Sequence, residues 1–282
     1  MIFFNQMPVF PLLLTTGAIE LSYHQVFIAC GLVLVAGILS LFFRLGLEKQ
    51  LLIASLRTVV QLSLVGYVLA WVFKLETLWA VALVAALMVS IASHTAAGRP
   101  ARTYTGAYIL TFINLFLCAS LTVFVVTSLI IGNSPWYKPQ YMIPLLGMIL
   151  GNSLNGISLC LDHLLETLVL KKAEVEMQLA HGASSWEAAQ DAISDSVNRG
   201  IIPIINSMMV VGVVTLPGMM TGQILQGADP HKAVKYQIMV MFMISATTMT
   251  CCIISAFLTF KIVFNAQHQL DLSRIRIQNK KL

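Results

Sequence analysis

Residues 171–187 read Lys171-Lys-Ala-Glu-Val-Glu-Met-Gln-Leu-Ala-His-Gly-Ala-Ser-Ser-Trp-Glu187. They sit inside the one long polar segment of the chain, residues 162–203, which holds seven of its twelve acidic residues. Gly182 has the place of a residue just past a helix end, where a left-handed backbone is wanted, and Ser184 with Glu187 has capping-box spacing. The pattern predicts a helix, a tight break at Gly182 and a second helix. In that second helix Glu187, Asp191 and Asp195 recur every four residues and share a face, while Trp186, Ala189, Ile193 and Val197 form an apolar stripe opposite. One face is left for water or a soluble partner, and the other packs.

On both sides of this segment the chain turns apolar. Hydrophobic residues make up 58% and charged residues 10%, against about 25% charged in soluble domains, and the mean hydropathy is +0.84. The fold expected is an all-α polytopic membrane protein. At about 20 apolar residues per span, crossings are expected at 23–43, 51–73, 78–97, 108–131, 141–161, 201–225 and 236–263. Seven crossings put the termini on opposite sides. With the amino terminus outside, thirteen Lys and Arg fall on the inner side, against Lys74, Lys138, Lys232 and Lys235 outside. The net charge of +5 then reports topology and contact with anionic lipid, and calls for no nucleic-acid partner. No Lys or Arg precedes Arg44, so the start lacks the basic flank of a secretory signal and is expected to stay on the mature chain. The organisation expected is transmembrane helices over 1–161, a cytoplasmic segment over 162–202, further helices over 203–263 and a basic inner tail over 264–282. The five cysteines all fall in spans and are odd in number, which argues for packing over a disulfide framework.

Polar groups inside apolar spans single out positions with work to do. Arg57 and Gln61 share a face of the second span, as interface anchors or as an ion pair to the 162–203 segment. His94 reads as a hydrogen-bonded interfacial residue before it reads as a ligand. The fifth span carries Gly147 and Gly151 in small-xxx-small spacing, followed by Asn152 and Asn155, which either hold helices together or line a polar path. In the sixth, Asn206, Met208 and Met209 precede Pro217-Gly218-Met219-Met220, and the Pro-Gly pair predicts a kink or broken helix suited to a gate. Gly218 and Gly222 repeat the small-xxx-small spacing, as for contact with a second copy. Eight of the fourteen methionines fall between 208 and 249, where they serve as adaptable packing or as soft, transient metal contacts.

What is missing is informative too. No Gly-Lys pair occurs, so there is no phosphate-cradling loop of the Walker type, and neither His-Glu-x-x-His nor Cys-x-x-Cys appears. Asp162, His163 and Glu166 form a candidate metal-entry set where the fifth helix leaves the membrane, a solvated helix end being the plainer reading. No carboxylate lies near the middle of an expected span, where gradient-driven carriers keep their proton relays. The chain is expected to be no enzyme by itself, to bind no cofactor, and to draw energy from elsewhere.

Leu179-Ala-His-Gly-Ala-Ser184, with Glu176 ahead of it, resembles the cytoplasmic coupling loop of ABC-transporter permeases, although Met177 and Gln178 stand where that loop has two alanines. Gly147-Met-Ile-Leu-Gly-Asn-Ser-Leu-Asn155, Ile202-Pro-Ile-Ile-Asn-Ser-Met-Met209, Leu216-Pro-Gly-Met-Met-Thr-Gly-Gln-Ile-Leu225 and Gly227-Ala-Asp-Pro230 resemble the FetB family of permeases, with Arg57 to Gln61 a fainter match. The resemblance implies a multi-pass permease of the bacterial inner membrane for iron export and peroxide tolerance. It would work as a homodimer with a separate ATPase subunit that binds ATP and Mg. Glu174, Glu176, His181, Gly182, Ala183, Ser184, Trp186 and Glu187 would then couple to the ATPase. Arg57, Gln61, Asn152, Asn155, Asn206, Met208, Met209, Pro217, Gly218, Met219 and Met220 would line the path or gate. Related plant permeases are tied to aluminium tolerance and nucleotide-sugar movement, so a non-metal cargo stays open beside a gradient-driven metal carrier and a receptor or scaffold that moves nothing.

Overall fold

The structure, a computed structural model, describes residues 22–265 and 267–278. The expectation for the mature amino terminus, and Lys280 and Lys281 of the tail, lie outside these residues. The apolar blocks form α1 (Tyr23–Phe42), α2 (Glu48–Leu75), α3 (Leu78–Gly98), α4 (Ala107–Val125, continued by a π turn over Val126–Ile130), and α5 (Pro139–Leu170). The polar segment forms α6 (Lys172–Ala180) and opens α7 (Ser185–Val210); α8 (Gly218–Leu225) and α9 (Pro230–Val263) follow. Among the described residues six helices, α1 to α5 and α9, are long and apolar enough to cross a membrane. The fold is an all-helical membrane protein. Two three-residue strands, β1 (Arg102–Tyr104) and β2 (Ile275–Ile277), pair antiparallel with Tyr104 opposite Ile275.

The expected crossing at 201–225 takes a different form. It is divided between the end of α7 and all of α8, and the break, residues 211–217, ends at the Pro217-Gly218 pair, where Pro217 caps α8. Gly212 turns left-handed at φ 84°, and a tight turn closes with the Gly212 N–H donating to the Thr215 carbonyl at 2.9 Å. One helix, α7, carries the chain from the polar segment through Pro203 into the apolar stretch without interruption from Ser185. A proline removes one helical hydrogen bond, which weakens the ladder locally without obliging the helix to end.

The chain forms two compact units. One comprises the residues up to Gly66 with Leu216–Gln237. In it α1 opens on a capping box between Ser22 and Gln25, and its apolar side chains, Phe27, Leu32 and Phe42 among them, stay exposed as a lipid-facing helix requires. The other comprises Tyr67–Thr215 with Ile238–Leu282, and it holds the bundle core. Here α5 is the central helix. Its 32 residues make a rod of about 48 Å, longer than the ~30 Å hydrocarbon slab. Ile149, Ile157, Leu161, Leu164, Leu165 and Leu168 bury one side of it completely. The last turns of α2 join through Val72, packed with Ala80 and Val81 of α3 and Ile143 of α5.

The tightest contact in this bundle is not at Gly147 and Gly151. A Cβ on Gly151 would meet open space, and one on Gly147 would touch only the end of Met88 at 3.3 Å. The close approach is between Gly156 of α5 and Gly200 of α7: a Cβ on Gly200 would lie 2.8 Å from the Gly156 carbonyl oxygen and 2.9 Å from the Cys252 sulfur. Two backbones and α9 meet there. Around the contact, polar side chains tie helices together. Asn114 Nδ2 donates to Ser255 Oγ at 2.8 Å and to the Cys251 carbonyl at 2.9 Å, Thr247 Oγ1 donates to Thr122 Oγ1 at 3.0 Å, and Ser158 Oγ donates to the Ala96 carbonyl at 3.2 Å. Gly200→Ala should lower stability by about 1–3 kcal/mol, the cost of overpacking against backbone, whereas Gly151→Ala should be neutral. Thermal unfolding midpoints of the two variants in detergent test the contrast.

Candidate functional site

Local sequence builds the elbow at Gly182 with little outside help. At the end of α6 the Ala183 N–H donates to the Gln178 carbonyl and the Gly182 N–H to the Leu179 carbonyl, both at 3.1 Å. With Gly182 at φ 91° this is the Schellman closure of a helix. Three residues on, the Ser184 N–H donates to Glu187 Oε2 at 2.7 Å and the Glu187 N–H donates back to Ser184 Oγ at 3.3 Å, starting α7 with a capping box. The Ser184 backbone N–H, with its hydroxyl, holds the Glu187 carboxyl below its ordinary value. Glu174 and Glu176 make only exposed pairs with Lys171 (3.7 Å) and Lys172 (3.5 Å), contacts that contribute little. His181, Glu187, Asp191 and Asp195 are exposed as well, so the elbow presents an acidic surface to water.

Trp186 has a larger role than its place in the polar segment suggests. Its ring stands 5.5 Å from that of Phe260 and 6.4 Å from that of Phe257, so the first turn of α7 is seated on the end of α9. Beyond α9 the described part of the basic tail folds back instead of trailing free. Phe264 pairs back with Leu270, and Ser185 Oγ lies 2.9 Å from His268 Nδ1. Then β2 pairs with β1, and the Gln278 N–H donates to the Ala101 carbonyl at 2.9 Å. The ends of α3, α5, α7 and α9 nearest the elbow are thus joined in one layer.

The path candidates scatter more widely. Asn152 is half-buried and donates to the Met148 carbonyl of its own helix at 2.9 Å. Asn155 is exposed and accepts a hydrogen bond from Arg99, a residue that charge counting had marked only for topology. Asn206 and Met209 are exposed on the last turns of α7, with Met208 half-buried beside them. Because α7 crosses α5 at Gly200 and Gly156, Asn152 lies about one turn and Asn206 about two turns from that crossing, away from the elbow. In the other unit, Arg57 and Gln61 are exposed on α2, Pro217 caps α8, Gly218 and Gly222 have open space, Met219 is half-buried and Met220 buried.

Asp162, His163 and Glu166 do not converge. Asp162 accepts the Ala101 N–H at 2.6 Å, His163 faces Thr167 at 3.5 Å and Glu166 is exposed. Among the described residues no group of three His, Cys, Asp or Glu side chains could hold a metal ion. The three sit on a helix whose packed side is filled by leucines, and the loop after α3 takes up the one carboxylate that faces inward.

The family model described as Uncharacterised protein family (UPF0014) matches residues 23–264, nearly every helix described above. The chain belongs to this family. It is 38% identical over 252 residues to a UPF0014 membrane protein of Synechocystis, covering 89% of this chain and 97% of that protein. It is 34% identical over 257 residues (91% and 98%) to the Probable iron export permease protein FetB of Escherichia coli. To Protein ALUMINUM SENSITIVE 3 of Arabidopsis thaliana it is 32% identical over 243 residues (86% and 88%). No solved structure matches the chain.

In this UPF0014 chain, sequence reasoning missed Gly156, Gly200, Ser185 and His268. Each acts across two elements, so no spacing within one element points to it. Glu187, by contrast, is a local device with a testable titration. Its depressed value means that its carboxylate stabilises the α7 start above the ordinary carboxylate range, and that this contribution is lost as pH falls through the lowered value. Amides of residues 185–188 should lose hydrogen-exchange protection over that acidic window in the wild type. The step should be absent in Glu187→Gln.

Proposed function

We propose that this chain is the permease subunit of an ATP-driven transporter that exports iron or a related metal ion, worked from the cytoplasm through the Gly182 elbow by a separate ATPase subunit. The observation that carries the proposal is the continuity of α7, one helix of 26 residues, about 39 Å long, from the elbow to the break at residues 211–217. A push on the elbow is a push on a stiff rod whose far end is the only irregular backbone in that stretch. Non-helical backbone at membrane depth is tolerated where it lies against protein or lines a water-filled path. The break is therefore the gate, and Asn206, Met208 and Met209 on the adjoining turns face the cargo.

Topology supports the same reading. The ends of α5 and α9 meet at the elbow layer, and a helix of 34 residues is long enough to carry α9 across the membrane, which supports a further crossing between 185 and 230. On this reading the divided α7–α8 stretch is the seventh crossing, with the amino terminus outside and the elbow, loop 99–105 and tail in the cytoplasm. The similarity to the probable iron export permease of Escherichia coli supports the cargo class and the bacterial inner membrane. A second copy of the chain completes the transporter, each copy meeting one ATPase subunit, which supplies the ATP and Mg.

Gly182→Val places a β-branched residue at φ 91°, a strain of roughly 1–2 kcal/mol, and should uncouple the pair. In proteoliposomes holding the chain and its ATPase, ATP-dependent iron flux should fall at least tenfold with the protein still inserted. Flux assays over a panel of metals and nucleotide sugars fix the cargo. Uphill transport by the chain alone under a proton gradient would remove the proposal.

A further inference from the structure

The elbow and the tail turn enclose an open hollow of about 500 Å3. Its walls come from two places far apart in sequence: Glu176, Leu179 and Ala183 on the elbow side, and residues 267–270 on the tail side. The tail side is held in shape by several contacts at once. Asn265 Oδ1 accepts the N–H of Gln267 at 3.0 Å and of Gln269 at 2.8 Å, Asn265 Nδ2 donates to Gln269 Oε1 at 3.0 Å, and His268 sits left-handed at φ 57°. A left-handed non-glycine residue persists only when its surroundings over-determine it. Here the contact of His268 with Ser185 does so, and it ties the turn to the first residue of α7.

The lining has a definite chemistry. Leu179, Ala183 and Leu270 supply an apolar floor, and Glu176 is the ionised side chain in the wall, held only by an exposed 3.5 Å pair with Lys172 that a competing cation can displace. The glutamines add neutral acceptors. An apolar floor ending at a carboxylate suits a long side chain with a hydrocarbon stem and a cationic tip, that is, lysine or arginine. Glu174, Glu187, Asp191 and Asp195 lie exposed on the neighbouring turns, so a basic partner surface is drawn to this side.

We infer that the hollow is a socket for a basic side chain of the ATP-hydrolysing subunit, so that the docking surface is the Gly182 elbow together with residues 267–270 of the C-terminal turn. This rests on the proposal that such a subunit drives the chain. It assigns the C-terminal turn a direct share of the grip, beyond the elbow helix alone.

The test uses the full-length chain in lipid nanodiscs, titrated with its purified cognate ATPase subunit. Gln267 is exposed and serves the turn through its backbone, so its charge can be varied without disturbing packing. Gln267→Lys should weaken docking about tenfold and Gln267→Glu should tighten it about threefold, both effects shrinking as salt rises. Leu270→Trp, which fills the floor, should also weaken docking about tenfold. Unchanged docking in Gln267→Lys and Gln267→Glu, with docking lost in Gly182→Val, would overturn the socket and leave the elbow reading intact. Normal docking in Gly182→Val would instead count against the elbow reading itself. Tighter docking in Gln267→Lys would mean an anionic occupant and would also overturn the socket.

Discussion

Gly156 and Gly200 bring two helix backbones into direct contact, and the working geometry of the bundle depends on that contact. Lipid offers no hydrophobic push between helices, so association rests on how closely backbones approach and on the hydrogen bonds between them. Any side chain at either glycine would hold α7 off α5. With both present, a helix that begins among charged residues in water lies flat against the central helix as it enters the apolar region. The elbow and the break at residues 211–217 become two ends of one body.

The polar side chains of the bundle divide into two populations. Asn114, Ser158, Thr247 and Ser255 are buried, and they join α3, α4, α5 and α9. Buried amides and hydroxyls must find partners where water is absent, and satisfying them fixes which helices touch. Asn155 and Asn206 are exposed and leave capacity for contacts outside the chain. Composition alone does not distinguish a buried asparagine from an exposed one. Placement on the packed or the open side of a helix does.

At the elbow end of the bundle, several weak devices converge on the first turn of α7. The capping box orients its start, the Trp186–Phe260 contact seats it on α9, and His268 ties it to the tail. The Arg99–Asn155 and Ala101–Asp162 contacts hold the loop after α3 against α5. Individually these are modest. Together they join the ends of α3, α5, α7 and α9 nearest the elbow into one layer. In this UPF0014 chain the elbow and the bundle core belong to one compact unit.

The sequence by itself determined that this is a helical membrane protein, where most helices lie, and how the elbow is made. Those features depend on runs of apolar residues and on contacts within a few positions, such as Ala183 to Gln178 and Ser184 to Glu187, which spacing encodes. Only the tertiary structure decided that the close glycine contact pairs Gly156 with Gly200 rather than using Gly147 and Gly151, and that Asp162 is occupied by a backbone N–H instead of joining a metal set. Each of these depends on groups distant in sequence, brought together by the packing of α5, α7 and α9. A small-xxx-small pattern shows where one helix could allow close approach, but the partner backbone decides where the approach occurs.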